Sequence, residues 1–131
     1  MSLVGAFAAS HAPGITGRPS LPPAVESEPI FRAYAELRSR LEATRPDVLV
    51  VVSPEHWANF FLDNMPSFCI GIADEFSGPT DEKFVNIPRQ SVRGHVRLAR
   101  ALAEGIAKDV DLSTSQEMAF DHGVMLPLHL L

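Results

Sequence analysis

The chain has 131 residues, of which 46% are hydrophobic, and this is enough for one domain with a buried core. Its formal net charge of −5 and the absence of a basic run argue against nucleic acid as the main partner. No apolar stretch approaches the roughly 20 residues that span a bilayer, and the single cysteine, Cys69, cannot form an internal disulfide, so we predict a cytoplasmic protein with no membrane association.

The first half of the chain predicts a strand, a helix and a second strand. Residues 3–9 are small and apolar and end at turn-forming residues, which is typical of a buried strand. After a proline-rich loop at 19–23, apolar residues recur at three- and four-residue steps over 29–44, which predicts an amphipathic helix. Residues 47–53 contain an unbroken aliphatic run that only a strand covered on both faces tolerates. We expect the two strands to lie side by side in one sheet.

The second half predicts further strands and helices. Short strands are expected at 67–72 and 111–116. Between them, an apolar stripe over 91–109 predicts a second helix with Ser91 as its N-cap. This order of elements favours an α/β layered domain with a central mixed sheet flanked by helices.

The chain ends on apolar residues. Residues 124–131 resemble the opening turns of a buried helix, and no polar tail follows them. An exposed apolar face usually marks a contact with other protein surface. We therefore expect residues 1–131 to be the N-terminal portion of one larger domain.

Three of the five histidines stand at predicted element boundaries: His11, His56 and His122. Ligands of open α/β sheets bind just past the carboxyl ends of the strands. If the strands at 3–9 and 47–53 are neighbours, His11 and His56 emerge side by side and could hold one divalent metal ion. Two histidines and one carboxylate form the facial triad of non-haem Fe(II) oxygenases.

Other interpretations of these residues stay open. A histidine at a strand end is more often a surface or hydrogen-bonded residue than a ligand. Trp57 and Phe60 could line a substrate pocket, although phenylalanine clusters more often belong to a core. Cys69 has the setting of a small buried hydrophobe, and no nucleophile elbow supports serine hydrolysis. A non-catalytic metal-binding or interaction module and a zinc-dependent hydrolase remain alternatives to an oxygenase.

Three short motifs follow one another along the chain: Ser10–Pro13, Ser53–His56 and Asp121–Gly123. Together they resemble motifs of the class III extradiol ring-cleavage dioxygenases, the family of the protocatechuate 4,5-dioxygenase β subunit. The segment Ser10–Pro13 is similar to the first metal-ligand motif of that family. The segment Ser53–His56 is similar to the second, with Glu55 where aspartate is usual. Asp121–Gly123, followed by Pro127–Leu128, resembles an active-site segment of the family.

The resemblance implies a mechanism and a cofactor. It implies that Fe(II) is held by His11, His56 and a glutamate beyond residue 131, where a second active-site histidine is also expected. The substrates would be a catechol-type aromatic diol and O2, with ring cleavage outside the diol and His122 as the proton donor. Asp121 would orient His122 or contact the substrate. The resemblance further implies a chain of roughly double length and a homo-oligomer or an αβ hetero-oligomer.

Overall fold

The computed structural model describes residues 2–17 and 24–131, except for the side chains of residues 24–26. Its elements in chain order are a 3₁₀ turn (Pro13–Ile15), α1 (Ala24–Thr44), β1 (Cys69–Gly71), β2 (Glu75–Gly78), α2 (Glu82–Val85), β3 (Gln90–Arg93), α3 (Val96–Ile106), β4 (Ser113–Ser115) and α4 (His122–Leu130). The loop predicted at residues 19–23 lies outside the described residues. No helix in the described part of the chain is long and apolar enough to cross a membrane.

The described residues include four short strands, which form two pairs. β1 lies parallel to β4, with Cys69 opposite Ser113, and these strands occupy the segments in which short strands were predicted. β2 lies antiparallel to β3, with Glu75 opposite Arg93. Helix α3 joins the two pairs in sequence and packs against β1. The α/β class is therefore confirmed, with both parallel and antiparallel pairing.

The two segments predicted as adjacent central strands are not strands in this structure. Neither 3–9 nor 47–53 forms a backbone ladder with any other described segment. Their large side chains are mostly exposed, Leu3 at 88% and Val52 at 90%. A strand needs a neighbouring backbone that satisfies its N–H and C=O groups, and no described segment supplies one. The prediction that these two segments share a sheet is therefore wrong.

The second predicted helix begins later than Ser91. That residue lies in β3, where its hydroxyl donates a hydrogen bond to the Glu75 carboxylate across the strand pair. Helix α3 starts only at Val96, and Nδ1 of His95 accepts the Leu98 N–H at 3.2 Å as its cap. Pairing with β2 satisfies several backbone groups of β3, whereas a cap at Ser91 would satisfy one.

A hydrophobic cluster of described residues joins the helices around the site. Its buried members are Ile15, Tyr34, Val85, Ile87, Met125 and Leu126. They come from the 3₁₀ turn, α1, the segment around α2, and α4. The Arg38 guanidinium on α1 also donates a hydrogen bond to the Leu130 carbonyl at 2.6 Å. The cluster therefore links the end of α2 and the middle of α4 to the 3₁₀ turn that follows His11.

Candidate metal and acid–base site

Three histidine rings from three separate segments lie together. The rings of His56 and His122 are stacked, with centroids 4.2 Å apart and planes 23° from parallel. The His11 ring centroid lies 5.2 Å from that of His56 and 6.0 Å from that of His122. The structure thus brings together the three histidines that the sequence singled out, even though the strands expected to carry two of them do not form.

His11 is held through the backbone that precedes it. The Tyr34 hydroxyl on α1 donates a hydrogen bond to the Ser10 carbonyl, and the 3₁₀ turn begins two residues after His11. An added Cβ at Gly5 would lie 3.4 Å from the Thr44 side chain near the end of α1. The chain before His11 therefore runs along α1, which sets the position of the imidazole.

His56 lies in a loop that its neighbours stiffen. The Glu55 carboxylate accepts hydrogen bonds from the Trp57 N–H, at 2.8 Å, and from the Asn59 N–H. The Asn59 amide then bonds both backbone groups of Ala119, accepting its N–H at 2.8 Å and donating to its carbonyl at 2.9 Å. Asn59 was not expected to contribute, because its partner lies 60 residues away. The loop is thereby tied to the segment that precedes α4.

Asp121 links this loop to α4. One carboxylate oxygen, Oδ1, accepts the Gly123 N–H at 2.8 Å and so caps the helix. The other, Oδ2, accepts the His56 N–H at 2.9 Å and lies 2.8 Å from Nδ1 of the same residue. The expectation that Asp121 orients His122 is therefore wrong, because its carboxylate orients His56. Its predicted substrate contact remains a prediction, and both of its oxygens already accept hydrogen bonds.

His122 has a different carboxylate partner. It is the first residue of α4 and is 7% exposed. Its Nδ1 lies 2.6 Å from Oδ2 of Asp81, which immediately precedes α2. The sequence analysis missed Asp81, because no pattern singles it out and its partner lies 41 residues away. Two of the three histidine rings, those of His56 and His122, thus each have a carboxylate within hydrogen-bond distance of Nδ1.

The aromatic residues predicted to contact substrate, Trp57 and Phe60, lie in the loop that follows His56. Trp57 is 58% exposed and has a left-handed backbone, with φ of 59°, while Phe60 is half-buried. Within the described residues, neither ring packs against the three histidines. The phenylalanine that does so is Phe84, edge-on to His122 with centroids 6.2 Å apart. Substrate contacts by Trp57 and Phe60 remain predictions.

The donor set fits a divalent transition metal. Ligand atoms of His56, Asp121 and His122 all lie within 4.8 Å of one another. His11 is not a member of that group, although its ring centroid lies 5.2 Å from that of His56. A carboxylate on one ring nitrogen fixes the tautomer and leaves the other nitrogen free, as at many metal-bound histidines. Imidazole ligands suit iron, zinc, copper and nickel. The geometry therefore permits a metal cofactor, and the buried histidine beside it can move protons.

Comparison with known proteins agrees with this chemistry. Residues 5–131 match the family described as the catalytic LigB subunit of aromatic ring-opening dioxygenase. Over 125 residues the chain is 37% identical to a 2,3-dihydroxyphenylpropionate/2,3-dihydroxicinnamic acid 1,2-dioxygenase of Dechloromonas aromatica (strain RCB), covering 93% of this chain and 37% of that protein. Over 115 residues it is 32% identical to the corresponding enzyme of Rhodococcus globerulus, covering 84% of this chain and 34% of that protein.

The match covers nearly all of this chain but only part of each relative. The chain spans about a third of the length of the curated relatives that it matches. The family match itself extends over almost every residue of the chain. The chain therefore belongs to the family of the catalytic LigB subunit of aromatic ring-opening dioxygenases.

Proposed function

We propose that residues 1–131 are the N-terminal portion of a catalytic domain whose intact protein is an Fe(II)-dependent extradiol dioxygenase. It would open the ring of a catechol-type aromatic diol with O2. The observation that carries this proposal is the convergence of His11, His56 and His122 in a chain of the ring-opening family. Since the relatives are named for 2,3-dihydroxyphenylpropionate and 2,3-dihydroxicinnamic acid, catechols with a carboxylate side chain are the first substrates to test.

His11 and His56 would hold the metal, with a carboxylate ligand expected beyond residue 131. Their rings are neighbours, and Asp121 engages Nδ1 of His56, so Nε2 is the nitrogen of His56 that is left for an ion. When bound there, Fe(II) supplies the electron transfer between diol and O2 that no amino-acid side chain can perform.

His122 would transfer the proton that ring opening requires. Asp81 engages its Nδ1, which leaves Nε2 to give or accept a proton. Its burial keeps bulk water away from the ring, and its stacking on His56 puts it beside the proposed metal ligands. Imidazole is suited to this task because it exchanges protons near neutral pH.

The test is reconstitution of the intact protein with Fe(II), followed by O2 uptake and visible absorption of a ring-opened product on adding 2,3-dihydroxyphenylpropionate. His11→Ala and His56→Ala should lose tight iron binding and turnover together, because each removes one of few protein ligands. His129→Ala, at an exposed position of α4, is the matched control. Full iron content in both ligand variants contradicts the assignment. Hydrolysis that needs Zn(II) and ignores O2 would favour the zinc hydrolase instead.

The cellular location and the assembly remain predictions. A cytoplasmic location is expected from the single cysteine, and a homo-oligomer or αβ hetero-oligomer from the family. Fractionation of the native host and the sedimentation of the intact protein test them.

A further inference from the structure

Asp81 occupies a capping position without acting as a cap. It is the N-cap residue of α2, yet its side chain accepts no hydrogen bond from that helix. An aspartate at this position normally accepts the N–H two or three residues further on. Here Oδ2 instead lies 2.6 Å from Nδ1 of His122, 41 residues away, and Oδ1 is buried with no hydrogen-bond partner in the described part of the chain. An unpaired buried acceptor is unfavourable, so local stability does not explain this placement.

We propose that Asp81 is a positioning residue for His122, an inference that rests on the function proposed above. Its carboxylate accepts the Nδ1 proton, which fixes both the rotation of the ring and its tautomer. Nε2 is then the nitrogen presented to the substrate. The side-chain partner of Asp81 is His122, and we assign Asp81 no direct contact with substrate or metal.

The backbone on both sides of Asp81 is anchored. Before it, the Thr80 N–H donates to the Phe120 carbonyl at 2.9 Å, which ties the loop to the residues that precede α4. After it, Val85 is fully buried in the hydrophobic cluster, and the Thr16 hydroxyl donates to the Val85 carbonyl. A carboxylate on so fixed a backbone can hold an imidazole in one orientation.

The two carboxylates of the site therefore have separable tasks. Asp121 supports His56, a proposed metal ligand, whereas Asp81 supports His122, the proposed proton donor. Loss of the Asp81 carboxylate should impair proton transfer and leave metal binding in place. That difference separates a positioning role from a general contribution to the fold.

The experiment compares Asp81→Asn with Glu82→Gln in the intact protein. Glu82 is the next residue and is exposed, so its variant makes the same change of charge away from His122. In Asp81→Asn we expect turnover at saturating catechol to fall about 10–100-fold, with KM and Fe(II) content unchanged. The Nδ1 proton signal of His122 in ¹⁵N-edited NMR spectra should be lost. Glu82→Gln should keep turnover and signal.

A double-mutant cycle with His122→Ala completes the test. If Asp81 acts through His122, Asp81→Asn should cause no further loss of turnover in the His122→Ala background. The proposal would be overturned if Asp81→Asn lowered turnover in the His122→Ala background by the same factor as in wild type. It would also be overturned if Asp81→Asn alone left both the Nδ1 signal and turnover unchanged. The NMR signal tests the pairing even in a protein that cleaves no catechol, so failure of this inference and failure of the proposed function are distinguishable.

Discussion

At the scale of single residues, the aspartate and histidine that are adjacent in sequence do not hydrogen-bond each other. Asp121 adjoins His122 but bonds His56, while His122 bonds Asp81. The reason is that Asp121 caps α4, so its side chain folds back over the helix N-terminus towards the Gly123 N–H. Its second oxygen then faces the loop that carries His56.

The pairing of Asp121 with His56 can be tested through metal affinity. Asp121→Asn keeps an oxygen that can accept the Gly123 N–H. It places an amide N–H₂ opposite Nδ1 of His56, and this group cannot accept a proton from the ring as the carboxylate does. We expect Fe(II) affinity to fall about 10–100-fold, measured by competition with a chelator. Asp63→Asn, at an exposed loop position, should leave affinity unchanged. Equal affinities for both variants would contradict the assignment.

His122→Ala separates a proton donor from a metal ligand. As a proton donor, His122 should be dispensable for iron and catechol binding, while the rate at saturating catechol falls about 10²–10⁴-fold. Iron content, catechol affinity, melting temperature and turnover should be measured on the same variant. A parallel loss of iron would identify His122 as a ligand, which its closeness to His56 and Asp121 also permits. A stable variant with unchanged turnover would remove it from the mechanism.

At the scale of elements, helices α1 and α4 hold the loops that carry the histidines. α1 does so through the Tyr34 hydroxyl on the Ser10 carbonyl. α4 does so through its first turn, which packs closely on the loop before His56: a Cβ added at Gly123 would lie 2.7 Å from Ser53 Oγ and 2.8 Å from the Pro54 carbonyl oxygen. Each contact has a measurable consequence.

Tyr34 makes the stability of the protein fall at alkaline pH. Burial raises the pKa of Tyr34 above its ordinary value of 10.0, because the buried phenolate is poorly solvated. Its stabilising contribution is therefore complete below the unfolded-state pKa and is lost as pH rises through the folded-state pKa. Urea midpoints measured from about pH 8 to about pH 11 should fall less steeply for Tyr34→Phe than for wild type. Identical slopes would contradict this.

Gly123→Ala should loosen the contact between α4 and the His56 loop. The added methyl group would collide with the Ser53 side chain and the Pro54 backbone, so we expect a loss of about 1–3 kcal/mol in the free energy of unfolding. Gly105→Ala is the control, because a Cβ there meets no heavy atom within 4 Å beyond its own helix. That change should stabilise α3 by up to about 1 kcal/mol. Denaturant titrations measure the free energy of unfolding of both variants. If Gly123→Ala changed it no more than Gly105→Ala, the predicted collision would be contradicted.

At the scale of the whole molecule, the site is assembled from segments far apart in sequence. His11, His56 and His122 approach one another only in the folded chain, so an ion bound by them should favour the folded state. At about 100 times its Kd, Fe(II) should add about 2.7 kcal/mol to the stability of the intact protein. Differential scanning calorimetry with and without a chelator measures the shift. His56→Ala should abolish it, and an equal shift in that variant would place the ion elsewhere.

The sequence by itself determined the features that depend on local chemistry. Apolar periodicity located α1 and most of α3, and three motifs identified the family, whereas the strands expected to end at His11 and His56 do not form. Only the tertiary structure decided that the Asp81 carboxylate hydrogen-bonds His122 and the Asp121 carboxylate hydrogen-bonds His56, because the partners are 41 and 65 residues apart in sequence. It also decided that 3–9 and 47–53 form no ladder among the described residues. An aliphatic run shows that a segment can pair, but a strand exists only where another backbone meets its N–H and C=O groups.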